Sequence, residues 1–272
     1  MNNKLALAAV AAAATAAAAS PCTASSPPTS GAQLRPPMGG SGIGDYTLHD
    51  FASKWMMQQD DLAEVGRHAQ ANRDLLASGD TRARIVLMGD SITANWSGLA
   101  ARDTAAVRLV NRGIGGQNTS QMLLRYEDDV VQLAPSAVVI MGGTNDLRAY
   151  VGDPALVGPS ALERIRRNIT AMADIAEGRR FKVVLCTLPP VGADRERVSR
   201  DAGAILAVNA WIKSFAASRG YPVADYHAAL ADPAGALPAA LSPDGIHPNA
   251  DGYAVMWPVL SRALESIEEP RP

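Results

Sequence analysis

Cysteine is nearly absent from this chain. Cys22 and Cys186 are the only two in 272 residues. Cys186 lies in the apolar run Val183-Val184-Leu185-Cys186 and reads as a buried free thiol, so no disulfide framework is expected. No His or Cys spacing of the metal-ligand kind occurs either, which leaves no metal site to predict. A charge bias is missing too. The net charge is -2 and no stripe of Lys and Arg stands out; Arg164, Arg166 and Arg167 come nearest, on an expected surface helix. Nucleic acid is therefore not an expected partner. Histidine is scarce, with four copies, and His49, His68 and His227 have no partner at a suggestive spacing. Those three read as surface or satisfied core residues.

Long hydrophobic runs are also lacking, with one exception that is too short. Lys4 gives a positive start, Leu5 to Ala19 is apolar and alanine-rich, and Ala17-Ala18-Ala19 offers small residues for cleavage. Residues 1–19 are expected to be a signal peptide and not a stable membrane span. Cys22 raises lipid anchoring, but Pro21 stands where a small residue is wanted. Residues 20–44 are rich in Ser, Pro, Thr and Gly and are expected to form a disordered linker. Residues 45–272 then fit one α/β domain, with a helical extension over 45–80 ahead of the first strand. The implied location is outside the cytoplasm, periplasmic or extracellular.

What is present is an alternation. Short runs rich in β-branched residues at 84–88, 107–110, 137–141, 182–187 and 221–224 read as strands buried on both faces. Helical patterns cover about 119–133, 160–177, 201–219 and 249–267, with Pro248 suited to the start of the last and Pro258 expected to kink it. Strand–helix alternation implies a parallel, doubly wound sheet, whose ligands bind beyond the carboxyl ends of the strands.

Three motifs fall where such a site would be. Gly89-Asp90-Ser91 follows the first strand, Gly143-Thr144-Asn145-Asp146 follows the third, and Asp244-Gly245-Ile246-His247 lies near the C-terminus. Ser91 is the candidate nucleophile; a hydroxyl needs a base, and His247 can serve. Asp244, three residues earlier, can reach the far ring nitrogen through one tight turn at Gly245. An oxyanion formed by attack on a carbonyl would have three candidate donors: the Ser91 N–H, the Gly116 N–H and the Asn145 side-chain amide. Asp90 and Asp146 could be a carboxylate pair for glycoside hydrolysis, but the reading adopted is that they hold the loops carrying Ser91 and Asn145. Trp96, Arg148 and Tyr150 are candidates to touch substrate, Trp96 with a core role as its alternative.

The constellation resembles the SGNH, or GDSL, hydrolase family. Met88-Gly89-Asp90-Ser91-Ile92-Thr93 is similar to the family's first block. Asn111-Arg112-Gly113-Ile114-Gly115-Gly116 is similar to the second, Gly142 to Asp146 to the third, and Ser242 to Asn249 to the fifth. The resemblance implies a flavodoxin-like three-layer α/β/α sandwich of five parallel strands with no metal or organic cofactor. It also implies Ser91, Gly116, Asn145 and His247 as the functional set, with Asp244 as the acid. Which of Gly113, Gly115 and Gly116 faces the oxyanion stays open. The implied activity is hydrolysis of carboxylic esters, with small-molecule or glycan esters (short acyl esters of carbohydrates, lysophospholipids or simple lipids) as substrates. Acyl transfer to an alcohol or sugar is the alternative within the same chemistry, and a non-catalytic carbohydrate-binding protein the alternative outside it.

Overall fold

The computed structural model describes residues 61–148, 159–194 and 198–268. The expected signal peptide, the linker, the first part of the helical extension and Tyr150 lie outside the described residues. Five strands are present: β1 (Ala83–Gly89), β2 (Val107–Gly113), β3 (Ala137–Met141), β4 (Lys182–Cys186) and β5 (Val223–Ala224). They form one sheet in the order β2-β1-β3-β4-β5, every neighbouring pair parallel. This is the flavodoxin-like order, with its switch point between β1 and β3.

The strand sequences explain the layers. Side chains alternate across a strand. Val86 and Met88 of β1, with Val138 and Ile140 of β3, join a core that includes Ile165, Ile169, Met172, Ile205, Val208 and Ile212. Ile85 and Leu87, with Val139 and Met141, join the other core, which includes Ile92, Trp96, Tyr226, Met256 and Leu260. Both faces are covered, which is why the strands read as unbroken apolar runs.

The described helices are α1 (Ala69–Ala77), α2 (Ser91–Ala94), α3 (Thr119–Leu124), α4 (Tyr126–Asp129), α5 (Pro159–Gly178), α6 (Ala202–Arg219), α7 (Tyr226–Leu230) and α8 (Ala250–Glu268). Asp201 caps α6 by accepting from the Gly203 and Ala204 N–H groups, and Gly220 ends it in the left-handed region. Pro258 lies inside α8. Of the expected helical extension over 45–80, the described part is a 3-10 turn, Val65–His68, and then α1. The expected 119–133 helix is interrupted. A capping box of Asn118 and Gln121 starts α3, and the chain leaves helical geometry at Arg125, whose guanidinium turns into the interior.

Candidate active site

Ser91 begins α2 directly after β1. Its backbone N–H is in the first turn, where no intrahelical acceptor exists, and it has no partner among the described residues. Asp90 caps the helix, its carboxylate accepting the Ile92 N–H at 3.0 Å. The Asp90 side chain is therefore a structural clamp on the turn. Burial is the main influence on its carboxyl, which is pushed up to about 6 although the Ile92 N–H opposes the shift.

The Ser91 Oγ lies 2.9 Å from His247 Nε2 across 156 residues of chain. The other ring nitrogen, Nδ1, lies 2.6 Å from Asp244 Oδ2. With Nδ1–H donated to the carboxylate, Nε2 carries the lone pair that faces Ser91. The turn making this possible is local. Asp244 Oδ1 accepts the N–H groups of Ile246 (2.9 Å) and His247 (2.8 Å), and the Ser242 hydroxyl adds a contact at 3.2 Å. Gly245 takes φ 76°, a conformation that disfavours a side chain. Burial tends to raise the Asp244 carboxyl, but the His247 ring and these backbone donors outweigh it and hold it well below the usual carboxylate range.

Asn145 follows β3, whose end pairs with the end of β1 at Gly89 and Met141. Its Nδ2 donates to the Gln117 carbonyl at 3.0 Å, and its Oδ1 accepts from Arg200 Nη2 at 3.0 Å. One of its two amide hydrogens is thereby committed, and the other has no acceptor among the described residues. The glycine loop lies between. Gly113 is packed against Thr93 and Ala94, where an added Cβ would fall 2.2 Å from the Ala94 nitrogen. It is thus a close-approach glycine, and it is not an open donor because its N–H donates to Asn111 Oδ1 at 2.9 Å. A Cβ on Gly115 would stand 3.9 Å from the Ser91 Cβ. Gly116 takes φ 79° and faces open space, with no partner for its N–H among the described residues.

The loops are braced from below by residues with no motif of their own. Asp146 accepts both the Thr119 N–H and hydroxyl at 2.8 Å, and Arg164 adds a bond at 3.2 Å. Chiefly through burial its carboxyl is raised. Asp146 and Asp90 are thus fixed to backbone and helix starts, as expected of loop-holding residues. Arg164 is drawn into this bracing and is not a purely surface charge. Arg125 is wholly buried and donates to Gln117 Oε1 (2.6 Å), the Arg112 carbonyl (2.8 Å), the Gly89 carbonyl (2.8 Å) and Asp129 (2.8 Å). One guanidinium thereby joins the ends of β1 and β2 to the segment that accepts Asn145.

Trp96 is 6% exposed and belongs to the core, stacked on Tyr253 at 5.1 Å and edge-on to Tyr226 at 6.3 Å. Of the two roles expected for it, the structure shows the core one: one face is stacked on Tyr253, and Tyr226 makes an edge contact. The Tyr253 hydroxyl donates to the Ile92 carbonyl at 2.7 Å, which ties α8 to the turn that carries Ser91. Arg148 is exposed, three residues past Asn145, its backbone bridged to Arg200. Tyr150 lies outside the described residues. Arg125, Gln117 and Arg200 were not singled out by the sequence, because nothing local to an arginine or glutamine announces a distant carbonyl.

Known proteins resemble this chain in sequence and in fold. The model of the GDSL-like lipase/acylhydrolase family matches residues 87–255. A GDSL-like lipase of Bacteroides thetaiotaomicron is 30% identical, with a TM-score of 0.65, covering 75% of this chain and 98% of that one. A catalytic mutant of Axe2, an acetylxylan esterase of Geobacillus stearothermophilus, covers 67% of this chain and 94% of that one at 20% identity and a TM-score of 0.53, a likeness of fold. The uncharacterized lipoprotein YqeF of Bacillus subtilis is 29% identical over 122 residues, which are 39% of this chain; the match spans about half, 49%, of that relative's length.

Proposed function

The chain belongs to the GDSL-like lipase/acylhydrolase family and is a carboxylic ester hydrolase, and we propose that it is an exported serine esterase working through an acyl-enzyme on Ser91. The observation that carries this reading is the continuous line Ser91 Oγ, His247, Asp244, with contacts of 2.9 and 2.6 Å. Ser91 Oγ attacks the ester carbonyl as its proton passes to Nε2. The carbonyl oxygen becomes an oxyanion facing the N–H groups of Ser91 and Gly116 and the free amide hydrogen of Asn145. Collapse of the tetrahedral species breaks the ester C–O bond, and the alcohol leaves with the proton from the imidazolium. Water then attacks the acyl-enzyme, again giving its proton to His247, and the acid departs as Ser91 regains its hydrogen. Asp244 remains ionised and holds the ring throughout.

Short acyl esters are the proposed substrates, carbohydrate esters among them. The fold shared with an acetylxylan esterase supports testing acetylated glycans. The leader pattern of residues 1–19, together with the likeness to a lipoprotein, supports export. The test is Ser91→Ala. It is expected to abolish hydrolysis of p-nitrophenyl acetate, a loss on the order of 10⁶ in kcat, with an unchanged melting curve. A folded variant that still turns over this ester defeats the assignment. Acetylated xylan and a series of acyl-chain lengths then define the substrate.

A further inference from the structure

Arg200 belongs to none of the motifs, yet it touches Thr144 and Asn145 of the one that follows β3. It is 8% exposed, and its hydrogen-bond acceptors are all neutral: the Thr144 carbonyl (3.2 Å), the Val198 carbonyl (3.0 Å), the Ser199 hydroxyl (3.4 Å) and Asn145 Oδ1 (3.0 Å). Among the described residues no carboxylate lies in ion-pair contact with it; Asp90 and Asp244 favour its charge from farther off. Burial weakens its hold on its proton, and its direct contacts include the Asn145 amide.

Two consequences follow from the chemistry of the contacts. The first concerns orientation. Guanidinium can only donate and the Gln117 carbonyl can only accept, so the Asn145 amide fits one way round. Flipping it would set NH2 against guanidinium and oxygen against oxygen, two repulsive contacts. The second concerns strength. A cation on Oδ1 draws amide electron density toward the oxygen and leaves the Nδ2 hydrogens more positive, which strengthens the one that faces the site.

We propose that Arg200 is a positioning residue for ester hydrolysis, fixing and polarising the Asn145 amide so that its free hydrogen meets the oxyanion. This rests on the reading of Asn145 as an oxyanion donor. An effect transmitted through Asn145 must vanish when Asn145 is gone, which a general structural role would not do.

The experiment is a double-mutant cycle of Arg200→Gln and Arg200→Lys, each made with Asn145 present and with Asn145→Ala, assayed on p-nitrophenyl acetate alongside thermal melts. In the Asn145 background, Arg200→Gln is expected to lower kcat about 10- to 100-fold with KM within about twofold, as befits weakening one oxyanion donor. Arg200→Lys, which keeps the charge and loses the fork, should fall between. In the Asn145→Ala background both changes should cost no more than about twofold. Should Arg200→Gln fail to fold, the Lys variant carries the same comparison. Equal losses in both backgrounds, a loss confined to KM, or wild-type kcat in Arg200→Gln each overturn the proposal. Wild-type rate in Asn145→Ala alone removes Asn145 from the site, which is a failure of the underlying reading and not of Arg200.

Discussion

The two walls of the site are built in different ways. The His247 wall is a short local motif in which Asp244 holds the ring through bonds made within three residues, and both side chains stay open to solvent, 35% and 40% exposed. The Asn145 wall hangs on side chains brought from elsewhere, and at its base the Arg125–Asp129 pair is 0% exposed on both sides. A motif that closes on itself can remain exposed, because its geometry comes from backbone turns. A wall assembled from distant segments needs a buried, fully bonded base, since each unpaired polar group there would cost free energy. Damage to the first wall should therefore appear as lost rate, and damage to the base of the second as lost stability.

The sharpest way to separate the walls is Asp244→Asn. The asparagine oxygen can keep the Ile246 and His247 N–H bonds, while the acceptor for Nδ1–H is lost, so the imidazole adopts the wrong tautomer. Stopped assays should show kcat down by about 10⁴, with a melting temperature near that of wild type. Next comes Asn145→Ala. Removing one oxyanion donor should lower kcat by about 10² to 10³ with little change in KM; a rise in KM alone would mean that Asn145 binds substrate instead.

Arg125→Met tests the base. It leaves the Asp129 carboxylate buried without its partner, and urea titration should show a loss of about 3–5 kcal/mol. The protein still folded should lose much less rate than Asp244→Asn does; equal effects on rate would erase the contrast between the walls.

The smallest effect expected is on pH dependence. The Asp90 carboxyl is raised by burial to about 6. The folded protein holds that proton more tightly than the unfolded chain, so the group's contribution to stability is present below the ordinary carboxylate range and is lost as the pH rises through about 6. Asp90→Asn keeps an oxygen for the Ile92 N–H and cannot ionise. Its melting temperature should fall less than that of wild type between pH 4 and 7, and an unaltered slope would show that Asp90 does not govern it.

Much of this was legible in the sequence where the information is local. The β1, β3 and β4 runs announce strands because both sheet faces are covered and no polar residue interrupts them. The Asp244–His247 turn is legible because the acid and the base lie three residues apart. The break at Arg125 was not, because helical periodicity cannot register a guanidinium drawn toward the Gly89 carbonyl 36 residues away. Trp96 was ambiguous for a similar reason: only the fold stacks Tyr253 on it and brings Tyr226 into edge contact. Arg200 carries no pattern at all, its role depending on which oxygen the folded chain sets before it.

The clasp between Tyr253 and the Ile92 carbonyl, beside a Ser91–His247 contact spanning 156 residues, has a practical consequence. A polypeptide severed between those partners would yield one piece holding the hydroxyl and another holding both the imidazole and its tether. On the proposed roles of Ser91 and His247, neither piece should cleave a chromogenic ester by itself, and colour recovered on mixing would report that the two had rejoined.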